Sequence, residues 1–339
     1  MSEGECIKLA HGGGGQLTAE LIDEVILPAL DGPQQSGRLT DAAELTLGGR
    51  AAFTTDSYVV QPLEFPGGNI GKVAVCGTVN DLAVSGATPK ALSLGLILEE
   101  GLEIALLRRV LEAAGQAARD AGVAIVTGDT KVMERGGVDG MVINTAGVGE
   151  VLAGAELGFA RIAEGDEIVL SGPLGEHALA VMSQREGLSF TAELESDCAA
   201  VNRLTTELIE TLGGRVHFMR DPTRGGLAAT LVDVAVAAGR DVETVESAIP
   251  VNRTARAAAE MLGLDLMSAA NEGKLVAVVE AGAGEQAVAV LRRHEIAFRA
   301  AVIGEIGPAD DSPLVELVTS IGGRRIVQMP YGEELPRIC

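Results

Sequence analysis

The chain ends in a cysteine, Cys339, which follows Pro336, Arg337 and Ile338. A cysteine at a chain end has no downstream segment to pack against it, so we expect an accessible thiol. The nine residues after Pro330 reach about 30 Å when extended at ~3.3 Å per residue. The spacing predicts a thiol that travels between a partner protein and an internal pocket. A frayed tail with an incidental cysteine is the alternative.

Carboxylates follow several apolar runs. Asp56 comes after residues 51–55, Asp129 after residues 123–128, and Asp221 after residues 216–220. If the ends of these runs share one sheet edge, their oxygens can hold a hard cation. Mg²⁺ usually reaches proteins through carboxylates while it also binds substrate phosphates. A turn or a helix cap explains each aspartate equally well when it is taken alone.

Two further acidic positions stand beside asparagines. Asn80 and Asp81 lie within an apolar helical stretch, where a buried acid needs a partner or a metal ion. Asn271 and Glu272 precede an apolar strand. A solvated helix face and a plain turn are the respective alternatives.

Four consecutive glycines, Gly12 to Gly15, follow His11. Such a run lets backbone N–H groups approach a phosphate, although a linker is the alternative. No Gly-Lys-Ser/Thr sequence follows, so the run is not a Walker A loop. The chain also contains no dinucleotide fingerprint after a strand and no G-x-S-x-G motif.

Alternating helices and strands must position these residues, and they predict two mixed α/β domains. We expect the domains over residues 1–157 and 158–308, with residues 309–339 as a C-terminal segment and mobile tail. Helices are predicted over residues 16–30, 71–85, 103–120, 196–213, 226–238 and 285–293. Strands are predicted over residues 51–55, 91–98, 123–127, 141–147, 167–171, 216–219, 275–280, 301–306 and 325–329.

The composition excludes several classes of function. The 339 residues are 47% hydrophobic and carry a net charge of −22, which argues against nucleic acid or an anionic membrane as a partner. No apolar run is long enough to cross a bilayer, and the N-terminus has no signal-peptide core. The four cysteines form no C-x-x-C pair, and Cys76 lies in an apolar stretch typical of a buried thiol. We therefore expect a cytoplasmic protein without a structural zinc site.

Taken in order, the motifs resemble the ATP-binding superfamily of aminoimidazole ribonucleotide synthetase, selenophosphate synthetase and thiamine-monophosphate kinase. The terminal Pro-Arg-Ile-Cys is similar to one branch, the hydrogenase maturation factors of the HypE family. The resemblance covers essentially the whole chain. Its motifs are His11-Gly-Gly-Gly-Gly, Thr55-Asp-Ser-Tyr, Pro66-Gly-Gly-Asn-Ile-Gly-Lys, Val79-Asn-Asp-Leu-Ala-Val-Ser-Gly-Ala, Thr127-Gly-Asp-Thr-Lys and Asp221-Pro-Thr-Arg-Gly-Gly.

The resemblance implies a fold of two related α/β (α+β) domains with a flexible tail. The first domains of two subunits would pair into a shared barrel, with ATP and Mg²⁺ near their interface. The carbamoyltransferase HypF would carbamoylate the terminal thiol, and ATP-dependent dehydration would leave a thiocyanate on Cys339. The cyanide would pass to iron on the HypC–HypD complex.

Individual residues fit this chemistry on physical grounds. Cys339 would carry the carbamoyl group, Lys131 would neutralise the transferring phosphate, and His11 would assist near the glycines. Glu272 would be either a base for the carbamoyl N–H or a metal ligand, and Arg337 would offset the effect of the terminal carboxylate on the thiol. The metal ligands would be Asp56, Asp81, Asp129 and Asp221. The nucleotide would contact Gly13, Gly14, Asp56, Asn80, Asp81, Asp129, Thr130, Lys131 and Asp221.

Two other functions remain open at this point. Another enzyme of the superfamily would act on a small molecule and keep its activity without Cys339. A non-catalytic adaptor would bind partners through the tail and turn over no ATP.

Overall fold

The computed structural model describes residues 5–30, 42–188, 194–329 and 337–339. Most of the predicted tail, residues 330–336, lies outside the described residues. Two sheets with flanking helices form the body of the described chain, as the alternating pattern predicted. Among the described residues, no helix has the length and apolar character needed to span a bilayer.

The first sheet has four strands in the order β1-β6-β4-β5. Strands β4 and β5 are parallel, whereas β6 runs antiparallel to both β1 and β4. A short ribbon of two strands, β2 and β3, follows β1 in the chain. The strands are β1 (Ala51–Tyr58), β2 (Glu64–Phe65), β3 (Gly68–Asn69), β4 (Ala87–Glu99), β5 (Ala124–Met133) and β6 (Met141–Val151).

Helices cover one face of this sheet. The N-terminal helical segment consists of α1 (Gln16–Leu21), a π-helical turn (Ile22–Ile26) and α2 (Leu27–Ala29), close to the predicted helix. The two long helices are α3 (Ile70–Val84) and α4 (Ile104–Ala121). Gly122 ends α4 with a φ of 71°, the left-handed conformation that the sequence predicted for its C-cap.

Strand β4 shows why the sheet has a covered and an open face. Leu92, Leu94, Leu96 and Leu98 are buried on the helical side, because side chains alternate between the two faces of a strand. The opposite face of the sheet is open, and there Phe53 on β1 leaves 71% of its surface exposed. Met133 on β5 is also exposed on this face, and apolar side chains grouped on an open sheet face are typical of a contact surface.

The second sheet has seven strands in the order β13-β12-β9-β11-β7-β10-β8. Its neighbours are antiparallel except for β12 and β9. The strands are β7 (Glu167–Leu170), β8 (Val216–Arg220), β9 (Arg240–Val245), β10 (Val276–Val279), β11 (Ala301–Ala309), β12 (Val315–Val318) and β13 (Arg324–Val327). Its helices are α5 (Glu176–Arg185), α6 (Asn202–Leu212), α7 (Gly226–Ala238), α8 (Arg253–Leu262) and α9 (Gly284–Leu291).

The structure differs from the sequence prediction at a few elements. The sheet continues through β12 and β13, so the chain up to Val327 belongs to the second sheet rather than to a separate segment. Helices α5 and α8 and strands β9 and β12 were not predicted. The predicted helix over residues 196–213 begins only at Asn202, because the preceding residues run along the boundary between the domains.

Candidate functional site

The three C-terminal residues lie between the two domains. Cys339 is 9% exposed and Ile338 is 2% exposed. The Cys339 thiol is hydrogen-bonded to the side chain of Glu272, which precedes β10. Burial raises the pKa of this thiol well above its usual range, and the nearby Glu272 raises it further. The structure therefore shows the chain end in an internal pocket, one of the two positions predicted for it.

The tail is held chiefly through its main-chain carbonyls. The Ile338 carbonyl accepts a hydrogen bond from His177 Nε2 at 2.9 Å. The Arg337 carbonyl accepts from the Gln61 N–H at 3.1 Å and from Arg185 Nη2 at 3.0 Å. Gln61 belongs to the first domain, whereas His177 and Arg185 lie on α5 of the second. The tail therefore bridges the two domains.

The Arg337 side chain does not reach the thiol. Its guanidinium donates to the Val59 carbonyl at 3.2 Å and pairs with Asp139. The expectation that Arg337 offsets the terminal carboxylate near the thiol is therefore wrong. Arg224 takes that place, because its positive charge lowers the pKa of Cys339 against the larger effect of burial.

Glu272 is a buried carboxyl group, with 2% of its surface exposed. Burial raises its pKa well above the usual range, and the negative charges of Asp221 and Asp197 raise it further. Its backbone N–H donates to Asp197 Oδ1 at 3.2 Å, which fixes the start of β10 against the segment before α6. A carboxyl group in this setting holds a proton more readily than an ordinary glutamate.

A buried ion pair that involves Lys274 lies next to Glu272. Lys274 Nζ lies 3.0 Å from Asp197 Oδ2 and 3.2 Å from Glu176 Oε2. Burial acts to raise the pKa of Asp197, but Lys274 together with His177 and the Glu272 N–H outweighs it, so the pKa is lowered and the carboxylate is ionised. Removal of either partner would leave a buried charge uncompensated.

Asn80 connects the domains and does not offer its side chain to a nucleotide. Its Nδ2 donates to the carbonyls of Ala199 and Glu272 at 3.1 and 3.3 Å. Its Oδ1 accepts from the Val201 N–H at 2.8 Å. Because these contacts occupy the amide and the residue is 1% exposed, the structure contradicts the nucleotide-binding role expected for Asn80.

Three of the predicted metal ligands lie close enough to influence one another. Asp56 is on β1, Asp81 is on α3 and Asp221 follows β8. Burial raises the pKa of Asp221 to about 7, with further increases from Asp81 and Asp56. Burial also raises the pKa of Asp81, although the Thr54 hydroxyl, which donates to it at 2.8 Å, opposes the increase.

Mutual repulsion of this kind is relieved by a cation, so this acidic cluster of Asp56, Asp81 and Asp221 fits Mg²⁺ by donor type. Among the described residues, no three carboxylate, histidine or cysteine side chains converge tightly enough to enclose a metal ion by themselves. A cation here would need oxygens from substrate and water to complete its coordination, as Mg²⁺ commonly does.

Asp129 does not join the acidic cluster within one chain. It lies inside β5 rather than after a strand, and Lys131 Nζ pairs with its Oδ1 at 2.7 Å. Asp129 pairs in register with Gly95, on the open face of the sheet, whereas Asp56 is opposite the buried Thr145 on the helical face. The expectation that these aspartates share one sheet edge is therefore wrong for Asp129.

The glycine run lies beside the free edge of β5. Gly12, Gly14, Thr130 and Lys131 help to line a cavity of about 260 Å³, with apolar residues from the N-terminal helical segment as its floor. The Gly14 N–H donates to Thr18 Oγ1 at 2.9 Å. Gly13 is exposed in the same loop. Most of the residues expected to contact a nucleotide thus form two groups, one at this cavity and one at the acidic cluster.

His11 is buried with 1% of its surface exposed, and its Nδ1 accepts the Lys8 N–H at 3.1 Å. Burial lowers its pKa, so the imidazole is neutral at physiological pH. These contacts give His11 a part in holding the short helical turn over Leu9–Gly12.

Sequence reasoning missed the residues that hold the tail and Glu272. His177, Arg185, Asp197 and Lys274 lie outside the quoted motifs, and Arg224 lies within the Asp221 motif but received no role. One signal was present: Lys274 stands directly before a fully apolar strand, where a charged residue requires a buried partner.

Both domains match known family models. Residues 39–151 match the N-terminal domain of AIR synthase related proteins, and residues 163–315 match the C-terminal domain. The carbamoyl dehydratase HypE of Bradyrhizobium diazoefficiens is 47% identical over 335 residues, covering 98% of this chain and 96% of the relative.

Two solved structures extend the comparison. The hydrogenase maturation protein HypE in complex with ATP superimposes with a TM-score of 0.93 at 45% identity, covering 98% of this chain and 99% of that one. A HypE–HypF complex contains a chain with a TM-score of 0.79 at 43% identity, covering 83% of this chain and 90% of that one.

Proposed function

Because the chain belongs to the HypE carbamoyl dehydratase family, we propose that it uses ATP to dehydrate a carbamoyl group on Cys339. The product is a thiocyanate that supplies the cyanide ligand of [NiFe]-hydrogenase iron. The observation that carries this proposal is the contact between the Cys339 thiol and Glu272 in a closed pocket beside the acidic cluster.

The reaction converts R–S–C(=O)–NH₂ and ATP into R–S–C≡N, ADP, phosphate and a proton. The carbamoyl oxygen is a poor leaving group until it accepts the γ-phosphoryl group, after which loss of both N–H protons expels phosphate. Phosphoryl transfer is mainly a matter of positioning and charge neutralisation. A pocket that excludes water also protects the thiocarbamate from hydrolysis.

Glu272 is the proposed base for the carbamoyl N–H. It contacts the atom that carries the carbamoyl group, and its raised pKa makes its ionised form a good proton acceptor. Its buried position also keeps the proton away from bulk water. Of the two roles left open by the sequence, we therefore propose that of a base rather than that of a metal ligand.

The acidic cluster is the proposed place for Mg²⁺. Asp56, Asp81 and Asp221 would hold the ion, which supplies charge neutralisation on the phosphates when bound. Arg224, 3.9 Å from Asp56, adds a positive charge at the same place. Besides burial, the charge of Asp56 raises the pKa values of both Asp81 and Asp221, and the charge of Asp81 raises that of Asp221, which supports the assignment.

A homodimer would complete the nucleotide site. The open face of the first sheet carries Phe53, and the exposed Asp129–Lys131 pair lies on the same face at the edge of β5. Pairing of two open faces would bury Phe53 and place Asp129 and Lys131 of the partner subunit beside β1, the strand that carries Asp56. This arrangement explains why Asp129 is remote from the cluster within one chain.

The partners follow from the same chemistry. A carbamoyltransferase of the HypF type would load Cys339, in keeping with the HypE–HypF complex formed by a relative. A HypC–HypD complex would receive the cyanide, and the whole sequence would take place in the cytoplasm. Both exchanges require the tail to leave the pocket.

Intact-protein mass spectrometry tests the proposal. The protein is incubated with the transferase, carbamoyl phosphate and Mg-ATP, beside a Cys339→Ala control. We expect a carbamoyl adduct that loses one water only when ATP is present and never forms on the control. An active transferase that leaves the wild-type protein without an adduct would contradict the proposal and point to a small-molecule substrate.

A further inference from the structure

His177 and Arg185, both on α5, are polar residues at the domain boundary without a part in the proposed chemistry. His177 is fully buried, and Phe65 packs edge-on against its ring with centroids 5.3 Å apart. Arg185 is partly buried and donates to the carbonyls of Gln61 and Arg337. Most of the hydrogen bonds that these two side chains donate therefore go to backbone carbonyls around the tail.

The hydrogen bonds around His177 determine its tautomer. The Ile338 carbonyl can only accept, so His177 Nε2 carries the proton that it donates at 2.9 Å. His177 Nδ1 must then accept the hydroxyl proton of Ser196, 2.8 Å away. Ser196 Oγ in turn accepts the Cys198 N–H at 3.1 Å, which leaves its own proton free for the imidazole.

The same short segment also reaches the base. Asp197, next to Ser196, accepts the Glu272 N–H through Oδ1 and pairs with Lys274 through Oδ2. The fit is close, since a Cβ on Gly273 would lie 1.9 Å from the Asp197 carbonyl oxygen. Residues 196–198 thus contact the tail through His177 on one side and the Glu272 backbone on the other.

We infer that His177 and Arg185 are positioning residues that latch the tail through its carbonyls and, through Ser196 and Asp197, set Glu272 for the reaction. When the tail docks, the Ile338 carbonyl completes the chain of hydrogen bonds from His177 to Ser196. When it leaves, the His177 Nε2–H loses its acceptor. Docking and alignment of the base are then parts of one event.

Thiol accessibility tests the latch without ATP or a transferase. The rate of Cys339 alkylation by N-ethylmaleimide is followed by mass mapping of the C-terminal peptide in ligand-free protein. We expect His177→Ala and Arg185→Ala to increase this rate about tenfold, the effect of one buried hydrogen bond. His177→Gln keeps a donor near the Nε2 position, so it should restore most of the protection.

Matched controls use residues of the same type away from the tail. His294→Ala removes an imidazole that lies 3.2 Å from Glu207, and Arg161→Ala removes a guanidinium that bonds Glu156. Both should leave the alkylation rate unchanged. Equal rates in wild type, His177→Ala and Arg185→Ala would overturn the latch, and thermal melts of His177→Gln identify any loss of folding.

A second readout rests on the proposed function. After the transferase has loaded the thiol, single-turnover water loss should slow at least about tenfold in His177→Ala, while the extent of loading stays at the wild-type level. A variant that alkylates faster yet dehydrates at the wild-type rate would overturn the coupling to Glu272. If wild type never loses water, the proposed function fails, whereas the alkylation result still decides the latch.

Discussion

Asp221 has a pKa of about 7 in the folded protein because it is buried, with further increases from the charges of Asp81 and Asp56. An unfolded aspartate has a pKa near 3.9. The folded state therefore binds the proton more tightly, so the stability contributed by this group is fully present below about pH 4 and is lost as the pH rises towards 7. Above pH 7 no further loss from this group is expected.

In metal-free protein, Asp221→Asn should abolish this decrease in folding stability with rising pH. We expect the variant to be more stable than wild type by about 4 kcal/mol at pH 8, with no advantage at pH 4. Urea unfolding across this range measures the difference, with the exposed Asp120→Asn as the control. A constant difference at every pH would show that Asp221 is not the responsible group.

Glu272→Gln separates loading of the thiol from dehydration. Glutamine preserves the size of the side chain but accepts no proton, so water loss should slow about 10²- to 10⁴-fold. The carbamoyl adduct should still form, because in the proposed sequence the thiol is loaded outside the pocket. Mass spectrometry of the loaded protein follows both steps, and an unchanged rate of water loss would exclude Glu272 as the base.

At the scale of elements, the connection between the domains depends on α3. The Asn80 side chain makes three hydrogen bonds to backbone groups of residues 199, 201 and 272. Asn80→Ala should destabilise the protein by about 3 kcal/mol, because it leaves buried partners unsatisfied. Urea unfolding tests this beside Gln116→Ala on the outer side of α4, which should change little.

Element prediction succeeded where apolar periodicity was strong. Helix α7 has the predicted bounds, and the buried Cys76 on α3 is confirmed. Strand β5 was predicted too short because its second half, from Thr127 to Lys131, is polar and lies on a sheet edge. Because of that error, Asp129 was expected at a strand end and was grouped with Asp56 and Asp221.

The contacts that complete the site join residues far apart in the chain, and local sequence patterns do not reveal such contacts. Asn80 meets Glu272, and His177 meets Ile338. The motifs did identify the acidic cluster and Glu272, because charged residues next to apolar runs require a physical explanation. The supporting residues needed the fold before their roles became visible.

At the scale of the whole molecule, the open face of the first sheet predicts self-association. Phe53→Asp places a charge on that face, so we expect the variant to shift from dimer towards monomer in sedimentation-velocity experiments. Ile321→Asp is the control, because Ile321 is 94% exposed in the second domain, beyond the open face. A wild-type protein that is monomeric at micromolar concentration would contradict the proposed dimer.

The raised pKa of the docked Cys339 thiol has a consequence for an idle protein. Peroxides and other cellular oxidants attack thiolates, and the pocket keeps this sulfur protonated and covered. The exposed Cys6 has no such cover. The pocket proposed for the reaction therefore also keeps this thiol reduced while the tail is docked.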